Sequence, residues 1–353
     1  MARIKVVCSR TYPAATMHVD DYTYDLPADA IAQRAIEPRD ASRLLIASTH
    51  EEIRFSDVAS LFEPGDLIVV NRTKVRSARL HATRSDTGGA VEVLVTRRVD
   101  ELRWEAMLRP SRRLRQGVAL RIGDRTVQLL SDPSGGIATV SIEPSVGIEE
   151  FIQRHGATPL PPYFTGELDD DSRYQTMFAS DLGSSAAPTA ALHFTPAVVE
   201  SLRSKGVGIA EITLDIGLDT FRPMGDGSVE DHEIHTERIT VDARAVQAIN
   251  ACKDVGGKVI AVGTTVVRSI ESAADGDGHV APTSGPTSLF ITPGYRPLVV
   301  DGLITNFHAP RTTLLVLISA LMGDRWRDTY QYALANGFRF LSFGDAMYIE
   351  VER

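Results

Sequence analysis

Short apolar and β-branched stretches separated by turn residues fill the chain between Leu67 and Val146. Turn signals such as Gly88-Gly89 and Gly123-Asp124 end these stretches at short intervals. Strands that are this short and this regularly spaced are typical of a small β-barrel or sandwich. The pattern predicts strands at Leu67-Val70, Ala90-Thr96, Arg103-Leu108, Val118-Ile122, Thr126-Leu130 and Ile137-Ile142.

On either side of this β-rich segment, helical patterns alternate with apolar strands. Residues Pro196-Lys205 predict a helix, with Thr195 as its N-cap and Gly206 just past its end. A succession of strand, helix and strand indicates a mainly parallel sheet with helices packed on it. After this helix, the pattern predicts a strand at Ile209-Leu214, a helix at Ala243-Asp254 and a strand at Val259-Val262.

The change of pattern predicts an α/β fold in which one domain interrupts another. We place a discontinuous α/β domain at residues 1–66 and 151–353, and an inserted small β-barrel domain at residues 67–150. The stretch from Asp275 to Ser288 is rich in Gly, Pro, Ser and Asp. It therefore predicts a mobile surface loop within the α/β domain.

The composition fits an intracellular protein with a large core, since 43% of its 353 residues are hydrophobic and 24% are charged. Cys8 and Cys252 match neither a disulfide framework nor a zinc-ligand spacing, which favours a reducing compartment. The longest apolar run, Leu314-Met322, is much shorter than the roughly 20 residues of a membrane span. We therefore expect a cytoplasmic protein.

The net charge of −9 argues against a broad basic surface for nucleic acid, which needs many contacts from Lys and Arg to phosphate. A local basic patch is still possible around residues 109–115. An equal alternative is that these arginines are solvated strand ends and turns. The candidates for RNA contact are Lys74, Arg79, Arg109, Arg112 and Arg113.

Two segments offer small residues and free backbone N–H groups of the kind that bind ligands. Residues 184–195 are rich in Ala and Ser and end at a predicted helix start, although by composition alone a tightly packed loop is the simpler explanation. Gly263-Thr264-Thr265 falls at the carboxyl end of a predicted strand, where ligands bind in open α/β sheets. It lacks the Lys of a P-loop and the spacing of a dinucleotide fingerprint, so neither motif is predicted.

A concentration of histidine and carboxylate lies at residues 231–237, which hold His232, His235 and three acidic side chains. The two histidines would share a face on a helix and lie on opposite faces of a strand. The spacing is not that of a zinc site, so we expect substrate contact or proton transfer and no metal.

A second polar cluster lies at residues 301–313, where Asn306, His308 and Arg311 sit between two apolar stretches. A lone histidine in such a place is usually a satisfied structural residue. The additional polar side chains in the same stretch favour a functional role.

Taken together, these motifs resemble the S-adenosylmethionine:tRNA ribosyltransferase-isomerase family of queuosine biosynthesis. The resemblance runs along nearly the whole chain from about His18 onwards. The motifs that carry it include Tyr24-Asp25-Leu26-Pro27, Arg109-Pro110-Ser111, Pro161-Pro162-Tyr163, Ala186-Ala187-Pro188-Thr189-Ala190, Leu192-His193-Phe194-Thr195, Thr220-Phe221-Arg222-Pro223, Gly263-Thr264-Thr265, Asp301-Gly302-Leu303-Ile304-Thr305-Asn306-Phe307-His308 and Phe343-Gly344-Asp345-Ala346-Met347.

The resemblance implies a transferase that uses the ribosyl group of S-adenosylmethionine. The implied acceptor is the aminomethyl group of a 7-deazaguanine base already present at the wobble position of a tRNA. A base removes a proton from the carbon beside the sulfonium, adenine leaves, the amine attacks, and methionine is lost as the epoxide closes. The family's fold is similarly a discontinuous α/β domain that carries an inserted β-barrel.

The resemblance also implies roles for particular side chains. His193, His235 and His308 are the candidates for general base and acid, and the assignment among them stays open. The predicted binding positions are Arg222 and Arg268 for the methionine carboxylate, Thr264, Thr265 and Asn306 for adenine or ribose, and Thr189, Phe194, Thr195, Thr220, His232 and Glu237 as further substrate contacts.

Several motif positions depart from the family pattern. Family members usually carry Thr-Leu-His-Val-Gly-Leu-Gly-Thr-Phe, whereas this chain has Asp215 in place of the His and Asp219 in place of the second Gly. Asp215 is a catalytic candidate, although a carboxylate is normally charged where an imidazole titrates near neutrality. Arg72 reverses the charge of a usual acidic residue, and Ala191 replaces a usual Gly.

These departures keep two alternatives open beside tRNA modification. A paralogue could use S-adenosylmethionine with a small-molecule acceptor or as a lyase, because extra carboxylates in the site would repel a polyanionic tRNA. A non-catalytic binder of the nucleoside or of RNA is the second alternative. Adenine release without RNA distinguishes the first, and ligand-dependent thermal stabilisation without turnover distinguishes the second.

Overall fold

The structure is a computed structural model that describes residues 17–166, 168, 170–217, 223–234 and 236–351. Its helices and strands form a nine-stranded mixed sheet flanked by helices, a closed β-barrel and a two-stranded sheet. The strands are β1 Arg43–Ile46, β2 Glu52–Arg54, β3 Leu67–Asn71, β4 Thr73–Val75, β5 Arg79–Arg84, β6 Ala90–Arg98, β7 Arg103–Arg109, β8 Ala119–Ile122, β9 Arg125–Leu129, β10 Ile137–Glu143, β11 Asp181–Ser184, β12 Gly208–Asp215, β13 Glu237–Val241, β14 Val259–Val262, β15 Thr283–Thr287, β16 Gly302–Asn306 and β17 Ala346–Glu350. The α-helices are α1 Ile148–His155, α2 Pro196–Ser204, α3 Ala243–Asp254, α4 Thr264–Ser272, α5 Thr313–Met322 and α6 Arg325–Ala335.

The large sheet has the strand order β15-β13-β12-β3-β14-β16-β17-β1-β2. Its centre is parallel, because β12, β3, β14 and β16 pair in succession with the same direction. In β3, Leu67 and Val69 pack into one apolar cluster, whereas Ile68 and Val70 pack into another. A parallel strand that is covered on both faces has no polar side, and this explains its uninterrupted apolar sequence.

The predicted α/β fold with a small barrel is therefore confirmed, but the strand Leu67-Val70 does not belong to the barrel. We expected it there because it precedes the other short strands in sequence. Its lack of hydrophobic alternation is the signal that places it in a doubly covered sheet instead.

The barrel closes in the order β10-β7-β6-β5-β8-β9, with strands from Arg79 to Glu143. Its core includes the fully buried Trp104 together with Phe151 and Ile152 of α1. Helix α1 therefore packs with the barrel and crosses the predicted boundary at residue 150. The sequence pattern also missed β5, and the exact division of the chain into two domains stays a prediction.

Several predicted elements of the α/β part are confirmed. Helix α2 begins after Thr195, whose Oγ1 accepts a hydrogen bond from the Val198 N–H at 3.3 Å, and Gly206 just beyond its end has φ +83°. The predicted loop at residues 275–288 is wrong in its last part, because β15 pairs antiparallel with β13 there. Gly285 and Pro286 obscured this strand, and proline is tolerated on such an edge.

Within the described ranges, no helix is long and apolar enough to cross a membrane. The longest apolar run of the sequence forms α5, whose buried residues pack in the main core.

Candidate active site

An open cleft with about 610 Å³ of empty space lies at the carboxyl ends of β14 and β16. These two strands are parallel neighbours, so the residues that follow them meet at the same edge of the sheet. Gly263 follows β14 with φ +90°, and this lets the chain turn at once into α4. The cleft is lined by Tyr163, Ala187, Pro188, Thr189, Ala190, Ile216, Gly263, Thr264, Thr265, Thr305, Asn306, Phe307, His308, Ala309, Thr312, Leu314, Leu341 and Ser342.

The first turn of α4 gives this cleft an electropositive wall. Thr264 and Thr265 are the first two residues of the helix, where backbone N–H groups lack partners within the helix. The buried Thr265 Oγ1 has no hydrogen-bond partner among the described residues. A buried hydroxyl without a partner is costly unless a ligand or water satisfies it. This wall therefore suits a polar or anionic ligand atom.

Asn306, the last residue of β16, is at the centre of a buried hydrogen-bonded chain. Thr189 Oγ1 donates to Asn306 Oδ1 at 2.9 Å, and Asn306 Nδ2 lies 3.3 Å from His193 Nε2. The other ring nitrogen, His193 Nδ1, lies 2.8 Å from Ser42 Oγ. Burial, followed by the nearby Arg339 and Arg39 cations, lowers the pKa of His193 to about 3. His193 is therefore neutral at physiological pH.

His308 lines the cleft directly after β16. Its Nε2 lies 3.0 Å from Thr305 Oγ1, and its backbone is held by the hydroxyls of Tyr24 and Tyr330. Burial lowers the pKa of His308 to about 3, so its imidazole is neutral at physiological pH. One ring nitrogen carries no proton, and the lowered pKa makes this nitrogen a weaker base than that of an exposed histidine.

Asp215 lies at the end of β12 in a larger cleft, with about 1380 Å³ of empty space, between the barrel and the sheet. We call this the barrel-side cleft; Ile216 lines both clefts. Thr73 Oγ1 donates to Asp215 Oδ1 at 3.3 Å, and burial raises the pKa of Asp215 above its ordinary value. The barrel-side cleft is lined by Arg76, Thr96, Arg97, Arg98, Glu105, Met107, Ile137, Leu182, Gly183, Ser185, Asp215, Ile216, Gly217, Thr236, Glu237 and Arg238.

Arg268 and Glu237 form a buried ion pair with each other, through Arg268 Nη1 and Glu237 Oε2. Arg268 Nε also donates to the Leu289 carbonyl oxygen at 3.0 Å. Neither side chain lines the first cleft, whereas Glu237 lines the barrel-side cleft. The role of Arg268 in holding a carboxylate stays a prediction, and the pair has a structural role of its own.

Three further predicted contacts lie away from the first cleft. Phe194 is buried and its ring packs on Phe55 at a centroid distance of 5.1 Å. Thr195 caps α2 and donates to Asp40 Oδ2 at 2.6 Å. The His232 ring meets Phe290 edge-on at 6.2 Å. Phe194 and Thr195 belong to the Leu192-His193-Phe194-Thr195 motif, and their contact with substrate stays a prediction.

The predicted RNA contacts are spread over the barrel and its surroundings. Arg79 and Arg109 line the same cleft beside the 159–166 segment, with about 780 Å³ of empty space. Lys74 is exposed on β4, and Arg112 and Arg113 are exposed between β7 and β8. Their contact with RNA stays a prediction.

Some predicted positions fall on residues that the structure does not describe. These are Thr220, Arg222 and His235, together with the family departure Asp219. Within the described ranges, no group of three or more His, Cys, Asp or Glu side chains is arranged to hold a metal ion.

The structure adds site residues that the sequence reasoning missed. Ser42 contacts His193, and Tyr163 Oη lies 2.6 Å from Ser342 Oγ at the cleft wall. Tyr163 is the last residue of the Pro161-Pro162-Tyr163 motif, so the sequence could have indicated it as a site residue. Ser42 and Ser342 are far apart in sequence from the residues they touch, so no local pattern marks them.

Arg72, which departs from the family pattern, is matched by acids elsewhere in the chain. Its Nε lies 2.9 Å from Asp181, and its Nη2 lies 3.5 Å from Asp242. Thr213 also donates to Asp181 at 2.8 Å. The reversed charge is thus accommodated without a buried unpaired cation.

Comparisons with known proteins agree with this architecture. A family model described as queuosine biosynthesis protein matches residues 19–349. An S-adenosylmethionine:tRNA ribosyltransferase-isomerase of Symbiobacterium thermophilum is 46% identical over 343 residues, covering 94% of this chain and 100% of that protein. One of Moorella thermoacetica is 44% identical over 341 residues, again covering 94% of this chain and 100% of that protein.

A solved structure gives the same result. The crystal structure of an S-adenosylmethionine tRNA ribosyltransferase of Thermotoga maritima is 33% identical, with a TM-score of 0.52, and the match covers 93% of this chain and 99% of that chain. The resemblance predicted from the motifs is therefore confirmed, and the chain belongs to the queuosine biosynthesis protein family.

Proposed function

We propose that this protein transfers and isomerises the ribosyl group of S-adenosylmethionine onto the aminomethyl-7-deazaguanine base of a tRNA. The products are epoxyqueuosine in the tRNA, adenine and methionine. The observation that carries the proposal is identity of 42–46% with enzymes of this name over 94% of the chain. The tRNA partner also suggests the cytoplasm as the place of action.

The first cleft is the proposed site for S-adenosylmethionine. It is an open cleft whose few polar groups converge from the ends of two neighbouring strands, as is usual in small-molecule sites. Asn306 and Thr189 offer amide and hydroxyl groups for adenine or ribose, and Thr265 offers a buried hydroxyl that lacks a described partner. The backbone N–H groups at the start of α4 can receive a ribose hydroxyl or the methionine carboxylate.

His308 and Asp215 are the proposed proton-transfer groups among the described residues. The sulfonium acidifies the neighbouring C–H, and His308 is the proposed base because it lines the first cleft. Asp215 is the proposed acid for departing adenine, because burial raises the pKa of its carboxyl and it lines the adjoining barrel-side cleft. Its cleft adjoins the first one through Ile216, so a bulky acceptor can enter from the barrel side. His235, Thr220 and Arg222 remain proposed site residues.

The test is to incubate the purified protein with S-adenosylmethionine, with and without tRNA that bears the aminomethyl-deazaguanine base, and to follow adenine and methionine by chromatography. We expect equimolar release of both only when the tRNA is present. A variant Asn306→Ala should lose this release, whereas Asn250→Ala, which removes a side chain bonded to the Val280 backbone, serves as the matched control.

Two other outcomes would overturn the proposal. Adenine release without RNA would indicate a small-molecule acceptor or a lyase. Thermal stabilisation by S-adenosylmethionine with no release under either condition would indicate a non-catalytic binder, because a ligand that binds only the folded state stabilises it by mass action.

A further inference from the structure

We propose that His193 is a positioning residue, which holds the Asn306 carboxamide in one fixed orientation toward the cleft and carries no proton in the reaction. The inference deepens the proposed function, because it assigns how the adenine end of the donor is recognised. It rests on the buried chain Ser42–His193–Asn306–Thr189.

The donor and acceptor at each step of this chain follow from its chemistry. An amide nitrogen only donates, so the contact of 3.3 Å between Asn306 Nδ2 and His193 Nε2 requires that Nε2 accepts. A neutral imidazole then carries its single hydrogen on Nδ1, which donates to Ser42 Oγ at 2.8 Å. Both ring nitrogens are thereby occupied by protein groups.

The surroundings of His193 keep its ring out of the first cleft, and it lines instead a smaller pocket with Leu192 and Phe343. Ser42, His193 and Asn306 are 0%, 5% and 3% exposed, and only Asn306 of the three lines the cleft. The Phe55 ring covers the imidazole at a centroid distance of 5.0 Å. The charged groups that act on the ring are Arg39 and Arg339, both cations, and these disfavour an added proton. Protonation would also set an N–H of the ring against the Asn306 N–H.

The fixed amide presents a defined pair of groups to a ligand. Asn306 Oδ1 faces Thr189 and Nδ2 faces His193, which leaves one oxygen lone pair and one N–H for the cleft. An amide in this arrangement matches the N6 amino group and N7 of adenine, as asparagine does when it reads that base edge. A rotated amide would present its donor to the adenine amino group and lose both hydrogen bonds. His193 therefore sets a preference for adenine.

The first test is independent of catalysis and uses the ligand-free full chain. Histidine labelled with ¹⁵N in the ring is observed by NMR from pH 8 to pH 5.5, and the His193 signals are assigned from their absence in His193→Gln or His193→Asn. We expect a neutral ring with hydrogen on Nδ1 throughout this range. Hydrogen on Nε2, or a titration midpoint inside the range, would overturn the inference whatever the enzyme proves to do.

The second test compares His193→Phe, which keeps a ring and loses the acceptor, with His193→Gln, whose Oε1 can accept from Asn306. Because one hydrogen bond corresponds to about a tenfold change, we expect His193→Phe to raise KM for S-adenosylmethionine about 10-fold, with little change in kcat or its pH profile. His193→Gln should keep KM for S-adenosylmethionine close to the wild-type value. The matched control is His50→Phe, since His50 bonds Thr329 and stacks on Tyr332 away from the cleft.

The preference for adenine over another base can be measured as a ratio of kcat/KM values. A histidine with only a structural role would not affect this ratio. S-inosylmethionine presents a carbonyl oxygen where adenine has an amino group, so wild-type protein should reject it. His193→Phe frees the amide to rotate and should narrow the gap in kcat/KM between the two donors. An unchanged difference in kcat/KM between the two donors would overturn the positioning role. So would a loss of kcat by about 100-fold or more, with one limb of the pH profile missing, in both His193 variants.

Discussion

The two buried histidines predict a specific loss of stability in mild acid. Burial lowers the pKa of both His193 and His308 to about 3, whereas the unfolded chain binds a proton at about pH 6.5. Between these values the unfolded state holds more protons than the folded state, so the free energy of unfolding falls as pH falls. The contribution is fully present above pH 6.5 and is lost progressively on acidification toward pH 3.

The expected size follows from 1.36 kcal/mol for each pKa unit. Lowering the pH from 7 to 5 costs about 2 kcal/mol for each histidine, and about 4 kcal/mol for both. This is a large share of the roughly 5–15 kcal/mol by which a domain is stable. His193 and His308 are only 5% and 9% exposed, so solvent screening reduces the effect little.

Urea unfolding at pH 7, 6 and 5 measures this effect when wild type is compared with His308→Gln. The variant loses stability at pH 7, but its free energy of unfolding should fall about 2 kcal/mol less than that of wild type between pH 7 and 5. His81→Gln is the control, because His81 is exposed on β5 and hydrated in both states. Equal pH dependence in wild type and His308→Gln would refute the reasoning.

Three further predictions concern single contacts. Glu237→Gln removes the carboxylate from the buried ion pair with Arg268 and should cost about 3–5 kcal/mol in urea unfolding, whereas a cost below about 1 kcal/mol would contradict the buried ion pair. Thr195→Ala removes the N-cap of α2 and should cost about 1 kcal/mol by the same measurement, and no loss would argue against the cap. Burial raises the pKa of Asp215, so ionisation of this carboxyl lowers the free energy of unfolding as pH rises. Asp215→Asn should therefore be more stable than wild type at pH 7, and this gain should shrink at pH 4. A variant that is less stable than wild type at pH 7 would contradict this prediction.

Sequence patterns predicted most of the architecture because the main elements have strong local signals. Helix α3 and strand β14 agree in both bounds with their predictions, and Asp242 caps the helix by accepting from two backbone N–H groups. The errors come from tertiary context. Strand β3 looked like a barrel strand until its two covered faces were seen, and β15 was hidden by Gly285 and Pro286.

Site residues could be predicted where they lie at the ends of predicted strands. They could not be predicted where they depend on contacts between residues far apart in sequence. Thr264 and Asn306 follow from ligand binding at the ends of parallel strands, and both line the cleft. The contacts of His193 could not be read from its neighbours in sequence, because Ser42 and Asn306 are 151 and 113 residues away. Histidine identity alone therefore suggested a proton carrier where the contacts favour a positioning role.

Transfer of the ribosyl carbons is the measurement that tests the proposed activity most directly. S-adenosylmethionine labelled with ¹³C at all five ribose carbons is incubated with the protein and tRNA bearing the aminomethyl-deazaguanine base, and the digested tRNA is analysed by mass spectrometry. We expect all five labelled carbons to appear together in the wobble nucleoside. Adenine release with the label remaining outside the tRNA would contradict the proposed activity.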